Sequence, residues 1–287
     1  VYKRQSLGLN HSQPYFHVEL VDIDNDGDLD IIGGRIHDVP LNFLHDEIIY
    51  HENTGSATNP AFIPAPIIKP FNLNIQTDNA FSDRITTEFC DIDNDGDFDC
   101  FTMIRGAFHP FYFKNTGNAT SPSFAEHHGN QFGLSPIVLQ DGYLKDYFYW
   151  AESCFGDIDN DGDLDVLMSI FYSEHDTSSI YFHENIGTTT TPAFLDERIS
   201  PFGLEGVTSA SGDPVYQSSP EFVDFDGDGD LDVLVAHEHG FGYFANTGTP
   251  VSPAFSAQQH NPFGLFPNYD FKSIDVADLD HDCDLDI

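Results

Sequence analysis

The chain has 287 residues with 48 Asp plus Glu against 10 Lys plus Arg, a formal net charge of −38, which excludes a binder of nucleic-acid phosphates because that needs clustered Lys and Arg. Hydrophobic residues at 40% and aromatic residues at 14% are ample for a packed core, so the acid does not mark a disordered tail. No run approaches the roughly 20 apolar residues of a membrane span.

In chain order, residues 1–5 match nothing later in the sequence and resemble a translated library adapter, so residues 6–287 are read as one domain. Leu7-Gly8-Leu9 opens the first unit. Then come Asp22-Ile23-Asp24-Asn25-Asp26-Gly27-Asp28-Leu29-Asp30, Tyr50-His51-Glu52-Asn53-Thr54-Gly55, Pro60 with Phe62, and Phe71-Asn72-Leu73. The order returns as Asp91-Ile92-Asp93-Asn94-Asp95-Gly96-Asp97-Phe98-Asp99, Tyr112-Phe113-Lys114-Asn115-Thr116-Gly117, Pro122 with Phe124, and Phe132-Gly133-Leu134. It returns again as Asp157-Ile158-Asp159-Asn160-Asp161-Gly162-Asp163-Leu164-Asp165, Phe182-His183-Glu184-Asn185-Ile186-Gly187, Pro192 with Phe194, and Phe202-Gly203-Leu204. The fourth round is Asp224-Phe225-Asp226-Gly227-Asp228-Gly229-Asp230-Leu231-Asp232, Tyr243-Phe244-Ala245-Asn246-Thr247-Gly248, Pro253 with Phe255, and Phe263-Gly264-Leu265. A last burst, Asp278-Leu279-Asp280-His281-Asp282-Cys283-Asp284-Leu285-Asp286, ends one residue before Ile287. The bursts hold 25 of the 48 acidic residues and start 69, 66, 67 and 54 residues apart, so most of the charge belongs to a long-period repeat.

Short runs rich in Phe, Tyr, Val and Ile, bounded by turn residues, read as strands. In the second unit the pattern gives strand A over Thr86–Cys90, the acidic loop, strand B over Phe98–Ile104, a variable loop, strand C over Phe111–Asn115, a turn at Asn-Thr-Gly, and strand D near Ser123–Ala125. Gly at that turn is expected to supply a positive φ. No amphipathic helix is evident. A four-stranded antiparallel unit repeated head to tail predicts an all-β fold, a β-propeller, because each small sheet can bury its faces only against its neighbours. The expected blades span about 10–70, 71–131, 132–201 and 202–262, with half of a fifth over 263–287.

These landmarks resemble the FG-GAP and VCBS repeat family, whose calcium-loop blades also build the integrin alpha-subunit propeller. The resemblance runs from about Leu7 to Ile287 and implies a fragment of a propeller that usually has seven blades. Alternating Asp with Gly at the sixth position lets a short loop wrap several oxygens round one hard cation, and four or five carboxylates so close repel one another without one. The twelfth position, where an EF-hand carries Glu, holds Gly33, Thr102, Met168 and Val235, which argues against that reading. The family pattern implies ligation by side chains one, three, five and nine and by the backbone carbonyl of seven. That assigns Asp22, Asp24, Asp26 and Asp30 with Asp28 as backbone donor, and likewise Asp91, Asp93, Asp95 and Asp99 with Asp97. The third site takes Asp157, Asp159, Asp161 and Asp165 with Asp163, and the fourth Asp224, Asp226, Asp228 and Asp232 with Asp230. A fifth would use Asp278, Asp280, Asp282 and Asp286 with Asp284, although Cys283 replaces its Gly. Oxygen-only ligands select Ca2+, and apolar residues at the second and eighth positions pin each loop between core strands, a structural role. Loops of this kind in such number point to an extracellular, cell-surface or periplasmic setting, where calcium is abundant.

Cys90 and Cys100 occupy positions 0 and 10 of the second loop. If these face each other across strands A and B a disulfide is feasible, and a buried thiol pair is the alternative. Between the closing Leu and the next Asp the spacing varies over 13, 18, 23, 20 and 13 residues, so the rim opposite the acidic loops is expected to carry specificity. Candidate ligand-binding residues there are His37, His109, His175, His237, His239 and Trp150, with His45, Arg35 and Arg105 in the same loops. Glu19, Glu88, Glu221 and Asp275, just ahead of the loops, either line the channel or hydrogen-bond within strand A. No nucleophile elbow, phosphate loop or dinucleotide fingerprint is present. The expected function is a calcium-stabilised glycan- or protein-binding adhesion module, without nucleic-acid partners. The alternative is a polysaccharide lyase using His and Tyr on the variable rim.

Overall fold

The computed structural model describes residues 17–38, 44–73, 75, 85–104, 110–127, 131–134, 150–172, 177–196, 198–199, 201–204, 206–265, 273–282 and 285–287. Four antiparallel sheets of four strands follow one another, each in sequential order. The first holds β1 (Glu19–Val21), β2 (Asp30–Asp38), β3 (Leu44–His51) and β4 (Ile67–Ile68). The second holds β5 (Ile85–Cys90), β6 (Asp99–Ile104), β7 (Phe111–Asn115) and β8 (Phe124–His127). The third is built from β9 (Trp150–Gly156), β10 (Asp165–Tyr172), β11 (Thr177–His183) and β12 (Arg198–Ile199). The fourth has β13 (Ser218–Val223), β14 (Asp232–His237), β15 (Gly240–Phe244) and β16 (Gln259–His260). This is the β-propeller arrangement expected, with no α-helix among the described residues and no helix long and apolar enough to cross a membrane. The second strand of a blade is buried on both faces, as in Asp99–Ile104 and Asp232–His237, because neighbouring blades cover both sides; its sequence is therefore a run rather than an alternation.

Five apolar layers lie between successive units. Ile23 of the first loop packs in one cluster with Phe98 of the second. Ile92 meets Leu164, Ile158 meets Leu231, and Phe225 meets Leu285 in the same way. Leu279 of the fifth segment shares a cluster with Leu29 and Ile31 of the first blade, so the last unit packs against the first. The expectation that the second and eighth loop positions pin the loops to the core thus holds between blades.

Three of the acids ahead of the loops bond across to the next blade, and Asp275 also accepts the N–H of its own neighbour Val276 at 2.7 Å. Glu19 Oε1 accepts the Phe89 N–H at 2.7 Å, Glu88 accepts from Phe155, and Asp275 accepts from Leu20. Cys154 takes the same position in the third blade and accepts from Phe222.

Two expectations are corrected. The register pairs Cys90 with Asp99 and Phe89 with Cys100, so positions 0 and 9 face each other and Cys100 is one residue out of step. A one-residue offset reverses the face, which puts Cys90 in the core toward the third blade and Cys100 in the core toward the first. Both are free buried thiols, as is Cys154, and no Cys90–Cys100 disulfide forms. The turn glycines do not adopt positive φ. They are required by close approach: a Cβ on Gly117 would lie 2.2 Å from the Ser121 carbonyl oxygen, and one on Gly187 2.2 Å from that of Thr191.

The left-handed conformation falls instead on the Phe of each closing segment. Phe71, Phe132, Phe202 and Phe263 have φ of 53°, 59°, 53° and 57°. What holds them there is an edge-on contact with the aromatic residue of the third strand, at 4.9 Å for Tyr50–Phe71, 5.0 Å for Tyr112–Phe132, 5.1 Å for Phe182–Phe202 and 5.1 Å for Tyr243–Phe263.

Candidate metal centres and the opposite rim

Each of the first four acidic loops joins the first and second strands of its blade, and the fifth segment is closed by a single bridge from Ala277 to Asp286. The path of each loop is fixed by hydrogen bonds to the first carboxylate. Oδ1 accepts the N–H of the fifth residue at 3.0–3.1 Å in all five loops, and in the first four Oδ2 accepts the glycine N–H at 3.0–3.1 Å. Two left-handed residues make the bend. The fourth position is Asn25, Asn94 or Asn160 at φ 53–56°, Gly227 at 78° or His281 at 53°; the sixth is Gly27, Gly96, Gly162 or Gly229 at 92–97°.

This geometry gathers the first, third and fifth Asp. In each of the first four loops one carboxylate oxygen from each lies within 4.8 Å of the others. Oδ1 of Asp24, Asp28, Asp93, Asp97 and Asp163 is buried with no hydrogen-bond partner. Burial, followed by the neighbouring carboxylates, raises Asp24, Asp28, Asp97 and Asp159 above the ordinary range, and Asp163 to about 6. Buried orphan oxygens in an all-carboxylate cluster fit a hard divalent cation. The seventh residues Asp28, Asp97 and Asp163 lie close enough to feel the charge of those clustered carboxylates. In the fifth loop Asp284 lies outside the described residues.

The ninth Asp has a further task that the Asp pattern does not reveal. Its Oδ1 accepts the backbone N–H of the turn Asn at 2.7 Å for Asp30–Asn53, Asp99–Asn115 and Asp232–Asn246, and at 2.8 Å for Asp165–Asn185. The Asn Oδ1 then accepts two N–H groups of the following turn, at 3.1 and 2.8 Å for Asn53. Oδ2 of the ninth Asp accepts a tyrosine hydroxyl from Tyr50 at 2.9 Å, Tyr112 at 2.6 Å and Tyr243 at 2.7 Å. The third blade has Phe182 there, which has no hydroxyl to give. Burial pushes all these carboxyls up, to about 7 at Asp30 and about 6 at Asp99, and Asp165, without the hydroxyl, is highest at about 8.

Lys114 is the other residue the motif hides. It stands two residues after Tyr112, where the first and third blades have Glu52 and Glu184 and the fourth has Ala245. Its Nζ pairs with Asp93 and reaches Asp95 at 3.1 Å, so an ammonium group occupies the mouth of the second loop. Burial works to raise Asp95, but Lys114 overrides it and holds that carboxyl below its ordinary value. Glu52 adds negative potential at Asp24, and Glu184 does so at Asp159. The second loop is therefore expected to bind a divalent cation least tightly. Each unit of charge changed beside the ion is worth about 1–2 kcal/mol at such a half-exposed site, so Lys114→Glu should tighten the second loop by about tenfold or more. Calorimetric calcium titration checks this; an isotherm identical to that of the unaltered protein would refute it.

The opposite rim is uneven. The hairpin of the first blade keeps its pairing out to Asp38–Leu44, that of the third to Tyr172–Thr177, while the fourth turns at Glu238 and His239 alone. His37 and His45 are paired in register across the first hairpin, and Trp150 pairs with Phe171 at the rim end of the third blade. The side chains of His37, His45, Arg35 and Trp150, and His109, His175 and Arg105 entirely, lie outside the described residues. The rings of His237 and His239 are 6.4 Å apart. His237 is only 3% exposed, accepts the His239 N–H on Nδ1 at 3.2 Å, and is pushed down to about 4 by burial, so it is neutral at physiological pH. Beside them Tyr216 is 45% exposed, edge-on to Phe171 at 5.7 Å, and Glu238 accepts its N–H at 2.6 Å.

Residues 224–287, which contain the fourth and fifth acidic loops, match the family of FG-GAP-like repeats. No curated protein matches the chain. Among solved structures the chain is similar to one described as the structural basis of specific recognition of non-reducing terminal N-acetylglucosamine by an Agrocybe aegerita lectin, at 17% identity and a TM-score of 0.42, covering 86% of this chain. The chain spans 66% of that structure's length, just under two thirds.

Proposed function

We propose, with the FG-GAP-like repeat at residues 224–287 as the premise, that this chain is a calcium-stabilised β-propeller that binds a glycan or a protein surface through the rim opposite its acidic loops, outside the cell or in the periplasm. Calcium is supported by the orphan carboxylate oxygens of the loops. When bound it would supply charge neutralisation, and the residues of the chain would position it: the first Asp orders the loop, and its carboxylate with those of the third and fifth Asp would hold the ion. The external setting is supported by the number of such loops and their reliance on abundant calcium.

The observation that carries the binding role is the contrast between the two rims. The acidic loops repeat one geometry, whereas the opposite hairpins differ in height and present the exposed ring of Tyr216 against Phe171. An exposed, backed aromatic face with polar neighbours is suited to stacking on a sugar ring. A glycan array probed with the calcium-loaded protein should give a defined set of bound sugars, lost in Tyr216→Ala and in Trp150→Ala but kept in Lys114→Ala on the far rim. Binding that ignores both aromatic substitutions, or no bound glycan at all, would overturn the glycan form of this reading and leave the protein-surface form to a crosslinking test.

A further inference from the structure

The innermost strands bring together ionisable side chains that the acidic loops do not use. Residues three and five places ahead of a loop point the same way along a strand. Glu19, Glu88, Glu221 and Asp275 from four different units, together with His17, line one cavity of about 210 Å3. His17 is the one side chain able to carry positive charge among the described residues of that lining. Glu19 is 9% exposed; its Oε1 is taken by the Phe89 N–H, and its Oε2 is buried with no partner on the cavity side. One donor atom each from His17, Glu19 and Glu88 lies within 4.8 Å of the others. Behind His17, Nδ1 is 3.0 Å from Glu152 Oε2 and 3.0 Å from Ser273 Oγ.

A carboxylate bonded to one ring nitrogen fixes the tautomer and leaves the other nitrogen's lone pair for a ligand, the arrangement that supports metal-bound histidine. We propose that this axial cavity binds one divalent transition-metal ion, of the zinc or manganese kind, through Glu19, Glu88 and His17. A nitrogen donor among carboxylates suits such ions better than calcium, which prefers oxygen throughout. The five acidic loops and the axial group thus sort hard and borderline cations to different places. Residues from the first and second blades supply the donors, while Glu152 of the third orients His17.

The test uses the full chain with calcium in excess, so that the loops are filled before zinc is added. Calorimetry should then show one equivalent of bound zinc, and cobalt in its place should give a visible absorption band carrying the imidazole contribution. Glu19→Gln keeps the acceptor for the Phe89 N–H and removes the charge; it should abolish the stoichiometric event without changing the calcium-loaded melting curve. His17→Gln should do the same, and so decides the matter if either variant fails to fold. Glu152→Gln should weaken binding by about tenfold. Absence of a stoichiometric zinc or manganese event in the unaltered protein, or one that survives both Glu19→Gln and His17→Gln, would overturn the proposal.

Discussion

Excess EGTA should lower the melting temperature of this protein by about 20–40 °C. A site held at 100 times its dissociation constant contributes about 2.7 kcal/mol, and four filled loops therefore sum to on the order of 10 kcal/mol. In a chain of this size each kcal/mol moves the midpoint by about 2–4 °C. Removing the ions also exposes a repulsion the fold cannot relax, because the loop is clamped by the first Asp and pinned by buried residues such as Ile23, Ile92 and Ile158. The pH dependence of the metal-free protein follows from the same carboxyls. With Asp30 held up to about 7, Asp99 to about 6 and Asp165 to about 8, the folded chain binds protons more tightly than the unfolded one. That contribution is fully present below about pH 4 and is lost as pH rises through roughly 6 to 8, so the chelated protein should melt higher at mildly acid pH than at pH 8. With calcium the loops are already neutralised, and the trend should flatten or reverse. Scanning calorimetry with calcium and with EGTA at both pH values measures it. A melting curve indifferent to EGTA would sink the calcium reading.

The blade was legible because its signals are local and repeated. Alternating Asp announced the loops, and the strand boundaries around them fell within one residue for Ile85–Cys90 and Asp99–Ile104, since turn residues and the onset of apolar runs mark them. The fourth strand was harder to place: outside the second blade it shrinks to two residues, with a single bridge such as Asn53 to Phe62 standing in for the expected pairing. Register was not legible either. Nothing in the residue types distinguishes pairing of positions 0 and 10 from 0 and 9, and that one step decided whether Cys90 and Cys100 could meet. Lys114 was hidden for another reason. Along the chain it is 19 residues from Asp95, and only the sheet brings its ammonium to the loop. The axial acids could be listed from sequence but not understood, because three of them bond to backbone groups of the following blade. What the chain order conceals is therefore contact across strands and across blades, where most of the unusual chemistry of this molecule resides.

Asp99→Ala should destabilise the protein by about 3–5 kcal/mol whether or not calcium is present. Asp99 is fully buried, and its two oxygens hold the Asn115 N–H at 2.7 Å and the Tyr112 hydroxyl at 2.6 Å. Alanine strands both donors in the interior, at about 1–3 kcal/mol each, and leaves the turn at Asn115 without its tie to the acidic loop. Asp95→Ala provides the contrast. Asp95 lies on the exposed side of the loop and pairs with Lys114, so its loss should cost little in EGTA and show its effect only when calcium is present. Asp99→Asn separates the two roles of the ninth residue. It keeps an acceptor for the Asn115 N–H and removes a buried negative charge, so in EGTA it should melt at or above the unaltered protein, while with calcium it should fall below it. The third blade is a natural version of half this experiment: Phe182 withholds the hydroxyl, and burial carries Asp165 to about 8 against about 6 for Asp99. Urea unfolding of the three variants with and without calcium reads all of these quantities. If Asp99→Ala and Asp95→Ala lost the same stability under both conditions, the ninth Asp would be a ligand only. A difference that persists in chelator would make it the residue through which ion binding reaches the third strand and the turn beyond it.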